Sequence, residues 1–95
     1  MTLQEAIDTL RSLDLSDIRT LLQSHECKGK QGVSVDCPIS KYLQKLTVKQ
    51  ISVTTCIART IPYLGSDEER SGLPESVSYF IRHFDAGDFP ELIRN

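Results

Sequence analysis

Apolar residues in the first half of the chain recur with helical spacing. Leu3, Ala6, Ile7, Leu10 and Leu13 follow the i, i+3, i+4, i+7 rule of a single helical face. Thr2 and Glu5 precede this stripe as a capping box: the hydroxyl takes the N–H of Glu5, and the carboxylate reaches back to the cap. After a short break at 14–16, Ile18, Leu21 and Leu22, with His25 next in register, predict a second helix capped by Ser16. Residues 26–36 hold two glycines and two lysines without helical periodicity and read as a loop. Pro38 then suits the first position of a third helix, with Asp36 or Cys37 as its cap. Ile39, Tyr42, Leu43 and Leu46 form its apolar stripe.

Beyond Thr47 the period shortens to two. Ile51, Val53, Thr55 and Ile57 alternate within a run rich in β-branched residues. This is one long strand or a hairpin turning near Thr54-Thr55, and Pro62 ends it. The segment YLGSDEERSG, 63–72, is polar and turn-rich and reads as the most mobile loop. Pro74 opens the last long helix at its first position, with Glu75 at the positive end of the dipole. Val77, Phe80, Ile81 and Phe84 give that helix its buried face, and Gly87 stops it. Phe89, Leu92 and Ile93 make the tail apolar enough to dock. The expected fold is a small α+β domain spanning 1–95, with about four helices and a short hairpin or strand between helices three and four.

Composition narrows the class. Ninety-five residues, 39% hydrophobic and 25% charged, suit one globular domain. No apolar run reaches the roughly 20 residues of a membrane span. The first residues lack a basic segment followed by an apolar one, so no signal peptide is read and a cytoplasmic location is expected. Three cysteines are then expected as reduced thiols. The net charge of −2 hides an alternation: −3 over residues 1–26, +5 over 27–59 and −4 over 60–95. A basic middle between acidic ends either forms a patch or neutralises itself on folding.

Candidate chemistry gathers at 25–43. His25, Cys27, Cys37 and Cys56 are zinc-ligand types, but no C-x2-C knuckle brings any two together, so no metal is expected. Cys37 before Pro38 occupies a helix start, where a thiolate is favoured, yet no spacing places His25 or His83 beside it as a base. No catalytic residue and no cofactor is therefore assigned. The KGKQG segment lacks both phosphate-loop patterns. Lys28, Lys30, Lys41, Lys45 and Lys49 make a candidate phosphate-contacting stripe, without arginine and against a pI of 5.6. Tyr79, His83 and Phe89 form a candidate protein interface on the last helix and tail.

Two segments also carry a resemblance. CKGKQG followed by CPISKYL, 37–43, is similar to a G-[IV]-x-G…CP[IL]AxYL pattern. LPESVSYFIRHFDAGDFPEL, 73–92, is similar to LPxxVxxFVxxFDxGxYPEL. Both occur in this order in small proteins of actinobacteria and their phages, a family with no assigned activity. Cys27 replaces an aliphatic residue of that pattern and Ser40 replaces alanine, which speaks against Cys27 as a shared ligand. The resemblance implies a phage or actinobacterial setting. Together these readings lead to a non-enzymatic protein that binds a protein partner, or a further copy of itself, as a regulatory accessory. The alternative is a nucleic-acid-binding accessory using the lysines of 28–49.

Overall fold

A computed structural model describes residues 2–33, 35–54, 57–61 and 68–93. Among these residues the helices are α1 (Leu3–Asp8), α2 (Leu15–Ser24), α3 (Pro38–Thr47) and α4 (Glu75–Asp85). A sheet of β1 (Ile51–Val53), β2 (Ile57–Thr60) and β3 (Arg70–Gly72) lies between α3 and α4 in the chain, and a 3-10 turn (Pro90–Leu92) follows. The α+β class holds. The helices α1 and α3 lie together against the sheet, and α2 packs on both α3 and α4. Leu3, Ile7, Leu10, Ile18, Leu22, Ile39, Leu43, Phe80 and Phe84 fill the space between them with essentially no exposure. Each such burial contributes about 1.5–3 kcal/mol.

The helix starts follow from local chemistry. Thr2 and Glu5 form the capping box, and the Thr2 N–H and hydroxyl together hold the Glu5 carboxyl below its ordinary range. The second helix begins earlier than expected, because Asp14 and not Ser16 caps it, its Oδ1 taking the Asp17 N–H at 2.9 Å. A carboxylate adds charge attraction to the same hydrogen bond. Cys37 is the cap of α3, with Pro38 in its first turn. Pro74 sits one place before its expected position, at the cap of α4, where its carbonyl accepts from Val77 and Ser78.

The helix ends are less regular. α2 and α4 both close with paired N–H bonds from beyond the end: Cys27 to the Leu22 carbonyl and Glu26 to Gln23, then Asp88 to His83 and Gly87 to Phe84. That closure needs a left-handed residue. Gly87 supplies it at φ 92, whereas Glu26 at φ 55 does so with a full side chain. Cys27, buried beside Leu22, fills the apolar position that accompanies this closure, so it serves as a small hydrophobe. α3 ends on Val48 at φ 57, a β-branched residue 89% exposed, where left-handed backbone is most costly. Val48→Gly is expected to stabilise the fold by about 1 kcal/mol, since strain is relieved and no packing is lost. Thermal unfolding checks this, and an unchanged or lower Tm contradicts it.

β1 and β2 form the hairpin form of the expected β element, paired antiparallel with Ile51 opposite Thr60 and Val53 opposite Ala58. Thr54 begins the turn, exchanging backbone and hydroxyl hydrogen bonds with Ile57. Its hydroxyl does what a glycine-type turn signal would otherwise indicate; Thr55, Cys56 and Pro62 lie outside the described residues. The expected loop over 63–72 is corrected at its end, where Arg70-Ser71-Gly72 pairs with β2 as β3. Nothing in those residue types favours a strand. Pairing with β2 and the bond from Ser71 to the Gln4 side chain hold it in place. Residues 63–67 of that loop lie outside the described residues.

Candidate functional site

The loop before α3 is bound down along most of its length. Gly29 donates to the Leu92 carbonyl at 2.9 Å and bridges Ile93, while Lys30 donates to the Asp36 carbonyl at 2.7 Å. The Gln31 amide donates to the carbonyls of Phe84 and Asp85, and the Gly32 N–H to the Asp85 carboxylate. These ties satisfy the carbonyl end of α4 and fasten the tail, which therefore docks as expected through a fully buried Leu92. Apart from the bond between Lys30 and Asp36, the partners are more than 50 residues away, so no local pattern announces them.

This anchoring brings three of the five lysines to one groove of about 680 Å³, lined by Glu26, Lys28, Lys41, Gln44 and Lys45. Lys41 and Lys45 share the exposed face of α3, and Lys28 comes from the loop. Lys41 also pairs with Asp36 at 3.3 Å, and Lys45 donates to the His25 carbonyl at the end of α2. Lys49 is held elsewhere by Glu69, whose carboxyl it keeps below the ordinary range. Lys30 is exposed but does not line the groove. The five-lysine stripe is thus divided.

A second groove of about 310 Å³ is lined by the same Lys41 and Gln44 together with Val35, Gln50, Ile51 and Ile61. Under it, the buried Ser40 hydroxyl donates to the Ile51 carbonyl at 2.6 Å and accepts from the Gln44 amide at 2.8 Å. This small polar network ties α3 to β1: Ser40 and Gln44 are one helical turn apart, and both reach the Ile51 carbonyl on the strand.

On α4, Tyr79 is 51% exposed and its ring meets that of His83 edge-on, 4.4 Å between centroids. His83 Nδ1 lies 2.5 Å from an Asp88 carboxylate oxygen, so the aromatic pair is braced from the turn after the helix. Phe89 does not join them as a surface residue. Its ring stacks on the buried Phe80, 4.6 Å away and tilted by 15°, and it is partly buried there. The expected trio therefore separates into a surface pair and a packing residue. The register is broken at Gly87, which turns the chain before Phe89.

The sulfur of Cys37 accepts the Ser40 N–H at 3.3 Å, as a cap should. With 5% exposure, burial pushes its thiol up to about 11, outweighing the Ser40 and Ile39 N–H groups that favour thiolate. The activating effect of a helix start is thus overridden at this position. Burial likewise raises the Cys27 thiol, with Lys45 opposing it. His25 is exposed at the end of α2, its ring edge-on to Tyr42. No group of three or more His, Cys, Asp or Glu residues suited to a metal occurs among the described residues, and Cys56 lies outside them.

The Cys37 thiol has a consequence for stability. Unfolded, it ionises near 9.0, and folded near 11, so its contribution is complete below pH 9 and is lost as pH rises through 11. Over that interval the native protein is expected to lose about 2–3 kcal/mol more than Cys37→Ala does. Urea unfolding at stepped pH measures the difference between the two curves. Parallel curves would contradict the assignment.

No described helix is long and apolar enough to cross a membrane. No family model, curated protein or solved structure matches the chain.

Proposed function

We propose that this chain is a non-enzymatic accessory protein that binds another protein through the face of α4 bearing Tyr79 and His83, in the phage or actinobacterial setting its sequence resemblance implies. The observation that carries this reading is the braced, exposed aromatic pair. A ring held by His83, itself held by Asp88, loses little further freedom on binding, and such aromatics supply much of the energy of protein interfaces. The buried, protonated thiols of Cys27 and Cys37 fit a binding role better than a catalytic one. The nucleic-acid reading has less support, because Lys41 and Lys49 are paired with carboxylates and Glu26 lies among the groove lysines.

Affinity capture from source-cell extract, with partners identified by mass spectrometry, tests the proposal. Tyr79→Ala with His83→Ala is expected to reduce retention of a specific partner by about tenfold or more while the Tm changes little. A native-like double variant that retains every captured protein, and any self-association, refutes the reading.

A further inference from the structure

We infer that the two grooves that adjoin at Lys41 and Gln44 on α3 form a docking site for an acidic peptide segment that carries an aliphatic residue next to its carboxylates. The site is separate from the Tyr79 face, and the inference does not depend on the function proposed for that face. Three features define the occupant. The first groove is lined by Lys28, Lys41 and Lys45 from two different segments of the chain; Lys41 is also paired with Asp36 and Lys45 donates to the His25 carbonyl, so Lys28 is the least engaged of the three. Lys28 has no ion pair or hydrogen bond among the described residues, so its charge is available without breaking an existing contact.

The second feature is the aliphatic shoulder. Lys41 and Gln44 line both grooves, so the basic one adjoins the one lined by Val35 and Ile61, two of the five large apolar side chains exposed among the described residues. A ligand spanning both must offer negative charge at one end and an apolar group at the other.

The third feature decides between classes of polyanion. Glu26 interrupts the basic wall, and among the described residues no arginine or exposed aromatic ring lines either groove. A nucleic-acid strand presents a phosphate at every step and gains from stacking its bases on such rings. It would meet a carboxylate and find no platform among the described residues. A peptide can place carboxylates opposite Lys28 and Lys45, reach Lys41 by exchange with Asp36, avoid Glu26, and set an aliphatic side chain against Val35 and Ile61. Electrostatic complementarity of this kind sets specificity and association rate more than raw affinity, so the complex should weaken as salt rises.

Isotope-labelled full-length protein titrated with the probe acetyl-Asp-Glu-Leu-Asp-Glu-amide, followed by amide NMR shifts, tests the inference. The comparison probes are the same peptide with serine in place of leucine, and a twelve-residue oligothymidylate. The expected shifts concentrate at Lys28, Val35, Lys41, Gln44, Lys45 and Ile61, and the leucine peptide binds several-fold more tightly than the serine peptide. Lys28→Glu, an exposed position without an ion pair or hydrogen bond among the described residues, is expected to weaken the leucine peptide by about tenfold. Ile61→Ser is expected to erase the preference for leucine while leaving the serine peptide unaffected. Oligothymidylate binding more tightly than either peptide overturns the inference in favour of a nucleic-acid groove. Shifts confined to the Tyr79 and His83 face also overturn it, while leaving the function proposed for that face standing. Absence of any shift at millimolar peptide overturns it outright.

Discussion

Phe80→Ala is expected to cost about 4 kcal/mol, the largest loss of any single substitution considered. Phe80 is wholly buried on α4, and its ring stacks on that of Phe89. Truncation removes the transfer free energy of the ring and leaves a cavity between α4 and the tail. The neighbours cannot easily close that space, since the tail is tied at Leu92 to Gly29. A domain of this length typically has about 5–14 kcal/mol of stability, so the variant should melt at least 15 °C lower by rough scaling. Phe89→Ala is expected to lose about half as much, because its ring is only partly buried. Denaturant unfolding of both variants distinguishes packing from surface roles. A Phe89→Ala protein as stable as wild type would return Phe89 to the interface and contradict the stacking argument.

Gly29→Ala should cost about 3 kcal/mol, near the upper end for a side chain forced into a packed space. A Cβ at that position would lie 1.9 Å from the carbonyl oxygen of Asp36 and 2.8 Å from Cys37 Cα. All the obstructing atoms are backbone, so no rotamer change can relieve the clash. The strands of loop must separate, which breaks the bond from Lys30 to Asp36 and weakens that from Gly29 to Leu92. Hydrogen exchange should then show lost protection at the Gly29 and Lys30 amides together, before the core opens. Gly72→Ala is the control: a Cβ there meets nothing within 4 Å, and its effect should stay within about 0.5 kcal/mol. Equal midpoints for Gly29→Ala and wild type would show that the loop does not pack as described. The same substitution should disturb the lysine groove, because Lys28 is positioned by this anchoring.

The starts of α1 and α3 and the buried faces were legible because their signals are local, whereas the starts of α2 and α4 fell one or two residues from the expected positions. The Thr2 and Glu5 box, the Cys37 cap before Pro38, and the stripe Val77, Phe80, Ile81, Phe84 all rest on residues within one or two turns of each other. The Tyr79–His83 pair was legible for the same reason, being one helical turn apart. Phe89 was placed on the wrong side of the tail because direction after Gly87 depends on a left-handed turn and on which ring lies beneath. The ends of α2 and α3 were equally obscure, since Glu26 and Val48 take left-handed backbone that their side chains disfavour and that surrounding bonds impose.

The amino-acid sequence by itself determined the number of helices, the face each one buries, the change to β structure after Thr47 and the apolar docking of the tail. Periodicity and capping act over a few residues and depend little on distant partners. Only the tertiary structure decided that Arg70-Ser71-Gly72 is a strand, that Cys37 is too buried to be a reactive thiol, and that Lys28 joins Lys41 and Lys45 while Lys49 pairs with Glu69. Each of those outcomes depends on contacts or desolvation contributed by distant segments, and no local pattern encodes them.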